Sequence, residues 1–326
     1  MNVFLDRDNR LFQLVRLGKR KPYWFVAIPM ALVFIFVPTI LVSLLLGLLG
    51  FGPFIRPLVE NANPALAALG QDSILILSFA PILLAIWAWL VFVERRPFWT
   101  LGLERAGAVT KYLRGALVGF LLFAVSIGTL ALFGTVSLGR GDPQQEGLNA
   151  LGGVLLVYLG WAIQGPTEEV LCRGCLLQTQ GARYRPWVGI VISALVFALL
   201  HSLNQGFNVF AAVNLVLFGL FAALYVLYEG SLWGIFGWHA AWNWAEGNVF
   251  GTQVSGSHAI GGVLLDLCTA GPSWMTGGAF GPEGGLVVTV VLLAGIAVLI
   301  VLANRNIRRR ETQAQEGITP VLAGEP

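Results

Sequence analysis

Long apolar runs alternate with short polar segments along this chain, and the apolar runs determine the predicted architecture. A membrane-spanning helix needs about 20 consecutive apolar residues. The candidate runs are residues 23–49, 74–93, 112–136, 148–181, 186–201, 208–228, 231–244 and 286–303. The fifth and seventh are short, and helices of that kind are tolerated at membrane depth when they are buried in protein. The pattern therefore predicts an all-α fold, a polytopic transmembrane helix bundle of about eight spans.

The same pattern divides the chain into consecutive segments. They are a basic N-terminus at 1–22, the first three spans at 23–147, a core of spans four to seven at 148–250, a glycine-rich outer loop at 251–285, the last span at 286–303 and a polar tail at 304–326. The tail is expected to be disordered, because it holds too few apolar residues to bury against anything.

Composition agrees with a membrane location. Hydrophobic residues make up 56% of the chain and charged residues only 11%, whereas soluble domains contain about 25% charged residues. A soluble protein of 326 residues would need a far more polar surface. The composition therefore excludes a soluble protein and predicts an integral membrane protein whose first partner is the lipid bilayer.

The basic residues predict the orientation of the bundle. Cytoplasmic loops of membrane proteins carry an excess of lysine and arginine. Nearly all of the 20 basic residues fall before the first span, between spans two and three, between spans four and five, or after span eight. The exceptions are Arg56 and Arg140 on the opposite side and Arg173 within a span. Both termini are therefore expected in the cytoplasm, with the bacterial cytoplasmic membrane as the expected location. The net charge of +3 gives no reason to expect a nucleic-acid partner.

A few ionisable side chains remain inside the predicted spans, and they fall at similar depths. They are Glu168, Glu169, Arg173, His201 and His239. A charged side chain at the bilayer centre costs at least about 2.5–3.5 kcal/mol, so their presence needs a reason. With a rise of about 1.5 Å per residue, Glu168, His201 and His239 lie roughly 20, 22 and 12 Å from the cytoplasmic ends of their helices. Asn243, one turn beyond His239, lies at roughly 18 Å.

The two adjacent glutamates are predicted to differ in role. Glu169 and Arg173 are spaced i, i+4 with the acid first, the favourable order for an ion pair on a helix. Glu168 is then the carboxylate left free for chemistry, and a buried carboxylate suits a general base. Cys172 and Cys175 are interpreted as small apolar side chains rather than as a disulfide or metal pair. His258, in the outer loop, is interpreted as a solvated residue.

Three motifs carry a resemblance to a known family. Residues 168–173 match EExxxR, residues 197–201 match FxxxH, and residues 239–243 match HxxxN. In this order, on successive apolar helices, they resemble the CAAX protease and bacteriocin-processing family of intramembrane proteases, which is also called Abi. The resemblance covers about residues 155–248 and does not extend to the first three spans.

The resemblance implies an endopeptidase of the type II CAAX prenyl endopeptidase kind, acting within the membrane. Glu168 would activate a water molecule with His201 as its partner, and His239 and Asn243 would stabilise the oxyanion. Glu169 and Arg173 would form a structural ion pair. No cofactor is favoured. A zinc-dependent version remains open, with Glu168, His201 and His239 as the ligands. The implied substrates are membrane-associated or C-terminally processed peptides and proteins.

Two other classes of function remain as alternatives. The same fold could serve as a non-catalytic membrane scaffold or immunity protein. A proton-coupled transporter also uses intramembrane glutamate and histidine. A transporter should carry polar residues toward both faces of the membrane, whereas spans one to three contain almost none apart from serine and threonine. The absence of a clear internal repeat also argues against a transporter with inverted halves.

Overall fold

The chain folds into a bundle of apolar helices with one small strand pair. The computed structural model describes residues 4–139 and 141–323, with side chains described as far as residue 307. The strand pair is antiparallel and joins β1 (Val136–Leu138) to β2 (Leu267–Thr269), with Val136 opposite Thr269. It ties the end of the helix Ala108–Leu132 to the loop that follows the helix Trp233–Trp244.

The helices occur in chain order as follows. They are α1 (Arg10–Val15), α2 (Trp24–Leu48), α3 (Gly52–Val59), α4 (Pro64–Ala88), α5 (Ala108–Leu132), α6 (Gly147–Leu156), α7 (Tyr158–Glu169), α8 (Gln178–Arg183), α9 (Pro186–Leu200), α10 (Val209–Glu229), α11 (Trp233–Trp244), α12 (Ser273–Thr276) and α13 (Leu286–Ala323). Three π-helical segments continue α4, α7 and α11, at Trp89–Glu94, Val170–Leu177 and Ala245–Val249.

Among the described residues, five helices are long and apolar enough to cross a membrane, so the chain is an integral membrane protein. They are Trp24–Leu48, Pro64–Glu94, Ala108–Leu132, Val209–Glu229 and Leu286–Ile307. The pair Gly147–Leu156 and Tyr158–Arg183, bent by 44°, makes a sixth if it is one span. The predicted count of about eight is not confirmed, because α9 and α11 are too short to qualify by length.

Several helix boundaries differ from the predicted spans. The second long helix begins at Pro64 rather than at residue 74, because Asn63 accepts hydrogen bonds from the backbone N–H groups of Ala65 and Leu66 and caps it. The fourth predicted span is interrupted at Val157. The last helix continues to Ala323, into the segment that was predicted to be disordered. Alanine, arginine, glutamate and glutamine are frequent there, and all are good helix formers. Residues 324–326 of the predicted tail lie outside the described residues.

The short helix α11 lies at the centre of the bundle because α5 approaches it closely. A Cβ atom at Gly119 would overlap the carbonyl oxygen of Trp238, and one at Gly237 would overlap the carbonyl oxygen of Tyr112. Small residues at a crossing allow two membrane helices to touch along their backbones. Trp238 and Trp242 of α11 are fully buried. As a result α11, with its HxxxN motif, is enclosed by protein on all sides.

Candidate active site

The EExxxR motif lies where α7 passes into its π-helical continuation. Glu168 and Glu169 end the α-helix, and Arg173 lies within the π-helical turns of Val170–Leu177. Successive residues on a helix point about 100° apart, so the two glutamates face different surroundings. Single π-helical turns within α-helices occur frequently at functional sites.

Glu168 has one carboxylate oxygen occupied and one free. Oε1 accepts a hydrogen bond of 2.6 Å from Nε2 of Gln164. Oε2 is buried and accepts no hydrogen bond from any described residue. It lies 3.7 Å from Nε2 of His201 and 3.9 Å from Nε2 of His239. These distances are too long for direct hydrogen bonds, and polar groups at such a separation often share a water molecule.

The partners of the two histidines fix which ring nitrogens face Glu168. Nδ1 of His201 lies 2.8 Å from the carbonyl oxygen of Phe197, which can only accept, so this nitrogen carries the proton. Nδ1 of His239 lies 2.9 Å from Oε1 of Glu169, and the same argument applies if that carboxylate is ionised. Both Nε2 atoms are then directed toward Oε2 of Glu168, where each can accept a hydrogen bond from water or, when protonated, donate one.

Glu169 contacts both Arg173 and His239 through one carboxylate oxygen. Its Oε1 lies 3.1 Å from Nη1 of Arg173, and both side chains are fully buried. The same oxygen binds His239, so the predicted ion pair is one part of a three-residue network. The guanidinium of Arg173 lies 4.6 Å from the ring centre of Phe197, a cation–π distance. The first residue of the FxxxH motif therefore packs against the arginine of the EExxxR motif.

Asn243 contacts α7 through Gln164, a residue that was not identified from the sequence. Its Nδ2 donates a hydrogen bond of 2.8 Å to Oε1 of Gln164. Gln164 precedes Glu168 by four residues and therefore lies on the same face of α7. That spacing is the signal that could have identified it in the sequence.

The predicted catalytic residues line one cavity of about 350 Å³. Glu168, His201, His239 and Asn243 all line it, together with Gln164. The outer loop closes one side of the cavity with Ser255, His258 and Glu283, while α2 and α4 contribute Ile35, Gln71 and Leu75. His258, interpreted from the sequence as solvated, is exposed and lies at the edge of this cavity.

Some buried acidic residues were not identified from the sequence. Asp72 lies within α4, and its Oδ1 accepts the backbone N–H of Gly160, a group left free by the break in the helix at Val157. Glu246 is fully buried in the π-helical end of α11, beside Glu283. Both were missed because the predicted spans began after Asp72 and ended before Glu246.

The alternative zinc ligands, Glu168, His201 and His239, are spaced more widely than the ligands of a tetrahedral zinc ion. Ligand atoms about 2.0–2.1 Å from a tetrahedral zinc ion lie about 3.3 Å from one another. The separations of 3.7 and 3.9 Å around Glu168 are wider. Over the described part of the chain, no group of three or more histidine, cysteine, aspartate or glutamate residues could hold a metal ion. Cys172 and Cys175 are buried free cysteines.

The fold and this cluster define a polytopic membrane protein with a buried glutamate–histidine centre, and the family comparison agrees. Residues 150–245 match the family described as Type II CAAX prenyl endopeptidase Rce1-like. The match confirms the resemblance seen in the three motifs. No curated protein and no solved structure matches the chain.

Proposed function

We propose that this protein is an intramembrane endopeptidase in which Glu168 activates a water molecule for attack on a peptide bond. The observation that carries the proposal is the free carboxylate oxygen of Glu168. It is buried, unpaired among the described residues, and faced by two histidine Nε2 atoms within a cavity. An unpaired buried acceptor is costly, and a bound water with two protons to donate would satisfy it.

The proposed reaction uses the side chains in fixed roles. The water donates one hydrogen bond to Oε2 of Glu168 and the other to Nε2 of neutral His201, which orients its oxygen toward the substrate carbonyl carbon. Glu168 then takes the first proton while the C–O bond forms. When the tetrahedral intermediate breaks down, the C–N bond is cleaved and Glu168 returns that proton to the leaving amine.

His239 and Asn243 are proposed to stabilise the oxyanion that forms on the substrate carbonyl. Asn243 uses one amide hydrogen on Gln164 and has a second to donate. His239 can donate from Nε2 only as an imidazolium, because Nδ1 already donates to Glu169. Preorganised donors of this kind are worth most in a buried site, where the dielectric is low.

The proposed substrates are membrane-associated or C-terminally processed peptides and proteins. A cavity of about 350 Å³ accommodates only a short stretch of an extended chain. The substrate therefore has to enter with the residues around the scissile bond unfolded. The lipid bilayer delivers such substrates along the surface of the bundle.

The metal-free scheme is tested by chelation together with Asn243→Ala. Loss of one oxyanion donor typically lowers turnover by about 10²–10³-fold. We expect Asn243→Ala to retain measurable activity at that reduced level, and strong chelators to leave the wild-type rate unchanged. The assay is cleavage of a fluorogenic peptide library by detergent-solubilised protein, with metal content measured on the same sample. One equivalent of tightly bound zinc, lost from His201→Ala or His239→Ala together with activity, would contradict the scheme.

We also propose that eight helical segments cross or enter the membrane, with both termini in the cytoplasm of a bacterial cell. Support comes from the sorting of basic residues between the two sides. Of the shorter segments, α11 is largely buried by its neighbours, whereas α9 packs against α10 and leaves an apolar face exposed that includes Trp187, Leu195 and Leu199.

Cysteine labelling tests this topology. In a variant lacking Cys172, Cys175 and Cys268, single cysteines at the exposed positions Arg105, Arg185 and Asn304 should react only from the cytoplasmic side of the membrane. Cysteines at Glu60, Gln144 and Trp274 should react only from the outside. The measurement is reaction with a membrane-impermeant maleimide in intact cells compared with inverted vesicles. Labelling of any one site from the opposite side would refute the eight-segment arrangement.

A further inference from the structure

A chain of two hydrogen bonds connects the proposed oxyanion donor to the proposed base. Nδ2 of Asn243 donates to Oε1 of Gln164 over 2.8 Å, and Nε2 of Gln164 donates to Oε1 of Glu168 over 2.6 Å. Gln164 is buried, with 8% of its surface exposed. It therefore contacts both the proposed base, Glu168, and the proposed oxyanion donor, Asn243.

The chemistry of the neighbours fixes the orientation of the Gln164 amide. An ionised carboxylate only accepts hydrogen bonds, so the NH₂ group of Gln164 has to face Glu168 and the carbonyl group has to face Asn243. Asn243 must in turn present its NH₂ group to Gln164. One amide thus sets the rotation of two other side chains.

The two hydrogen bonds of Gln164 restrain the side chains of Glu168 and Asn243. Oε1 of Glu168 is occupied, which leaves Oε2 as the oxygen that faces the two histidines. One amide hydrogen of Asn243 is occupied, which holds its second hydrogen in a defined direction within the cavity. We propose that Gln164 is a positioning residue that selects the reactive oxygen of Glu168 and aims the oxyanion donor of Asn243. The inference rests on the proposed function.

A purely structural role for Gln164, holding α7 against α11, is less consistent with the packing. The neighbouring Gly165 already brings the two helices into close contact. A Cβ atom there would lie 3.1 Å from the backbone nitrogen of Ala240 and 3.1 Å from the His239 ring. The helices therefore pack through their backbones beside Gln164, and its amide is left for orienting side chains.

Gln164→Leu tests the inference, because leucine occupies a similar volume and makes no hydrogen bond. We expect kcat to fall by about 10- to 100-fold, the range for losing a hydrogen bond to a charged group, while KM stays within about twofold. A lower kcat with unchanged KM indicates an interaction used in the transition state. Gln164→Met, which keeps the unbranched shape, should behave in the same way and serves if the leucine variant does not fold.

A double-mutant cycle distinguishes positioning from packing. If Gln164 orients the side chain of Asn243, part of the contribution of Asn243 to kcat is already lost in the Gln164→Leu variant. Adding Asn243→Ala should then lower kcat by less than it does in the wild-type background. The matched control is Gln178→Leu. Gln178 is a buried glutamine that donates a 2.8 Å hydrogen bond to the Leu101 carbonyl and is not among the residues that line the cavity. The Gln178→Leu variant should lose thermal stability and retain the wild-type kcat.

The possible failures are distinguishable. If the wild-type chain cleaves peptides and both Gln164 variants retain full kcat, the inference is overturned and the proposed function stands. Losses that simply multiply in the cycle, or a fall in kcat for Gln178→Leu equal to that for Gln164→Leu, also overturn it. If no peptide is cleaved by the wild-type chain, or Glu168→Gln is fully active, the proposed function fails and the inference fails with it.

Discussion

Replacing Glu168 with glutamine is expected to abolish peptide hydrolysis while leaving the protein folded. Glutamine keeps the length of the side chain, and its carbonyl oxygen can still accept the hydrogen bond from Gln164. The amide nitrogen that replaces Oε2 cannot take a proton from water. Removal of a general base costs about 10²–10⁴-fold in rate, and here no other carboxylate among the described residues lies between the two histidines. The measurement is kcat on the best peptide of the library, with thermal unfolding in detergent as the test of folding.

The matched control is Glu60→Gln, at an exposed glutamate that pairs with Arg56 and is not among the residues that line the cavity. Exposed pairs of this kind contribute at most about 1 kcal/mol, so this variant should retain both activity and stability. A Glu168→Gln protein with normal turnover would show that Glu168 is not the base. Inactivity accompanied by unfolding would show instead that Glu168 is needed for the structure.

Glu169→Ala is expected to lower both stability and activity, and the two losses should be separable. The substitution leaves Arg173 buried without its carboxylate, at a cost of about 3–5 kcal/mol for a fully buried pair. It also removes the group that holds Nδ1 of His239. The loss of stability acts through Arg173 and the loss of activity through His239. Replacing Arg173 as well should therefore restore stability and leave activity low.

The test is the double variant Glu169→Ala with Arg173→Met. Methionine fills much of the arginine volume without a charge, so the melting temperature in detergent should recover most of the loss seen in Glu169→Ala. Activity should remain low, because His239 still lacks its partner. If the effects of the two substitutions on stability were additive, the ion pair would make no contribution. If activity recovered together with stability, Glu169 would not act through His239.

The predicted residues of the active site come together in one cavity, and the reason lies in their depth. Distances along three helices placed Glu168, His201 and Asn243 within a few ångströms of one level, because the rise of a helix is constant. In the structure all three line the same cavity. The sequence could not reveal which oxygen of Glu168 is free. That depends on Gln164 and Asn243, which meet only when α7 packs against α11.

The role predicted for Glu169 was incomplete for a similar reason. The i, i+4 spacing identified its pairing with Arg173, which is a contact within one helix. The contact with His239 joins residues 70 positions apart in the chain, and helical spacing carries no information about such contacts. Asp72 was missed because the predicted span began at residue 74, whereas the helix begins at Pro64, where Asn63 caps it.

The sequence by itself determined the class of the protein. The apolar runs require a membrane, because no soluble fold could cover so much apolar surface with so few charges. The three motifs, spaced by helical periodicity, carry the family resemblance and include residues that line the cavity. These properties depend on local composition and on spacing within single helices.

Only the tertiary structure decided how many helices are long enough to span the membrane and how the polar groups are paired. The five to six candidate spans reflect a kink at Val157 and two short helices that are stabilised by their neighbours rather than by their own length. The pairing of Asn243 with Gln164, and of His239 with Glu169, follows from close backbone contact between α7 and α11 at Gly165. Hydrogen bonds between helices form only after packing has fixed which faces meet, so the pattern of a single helix could not specify them.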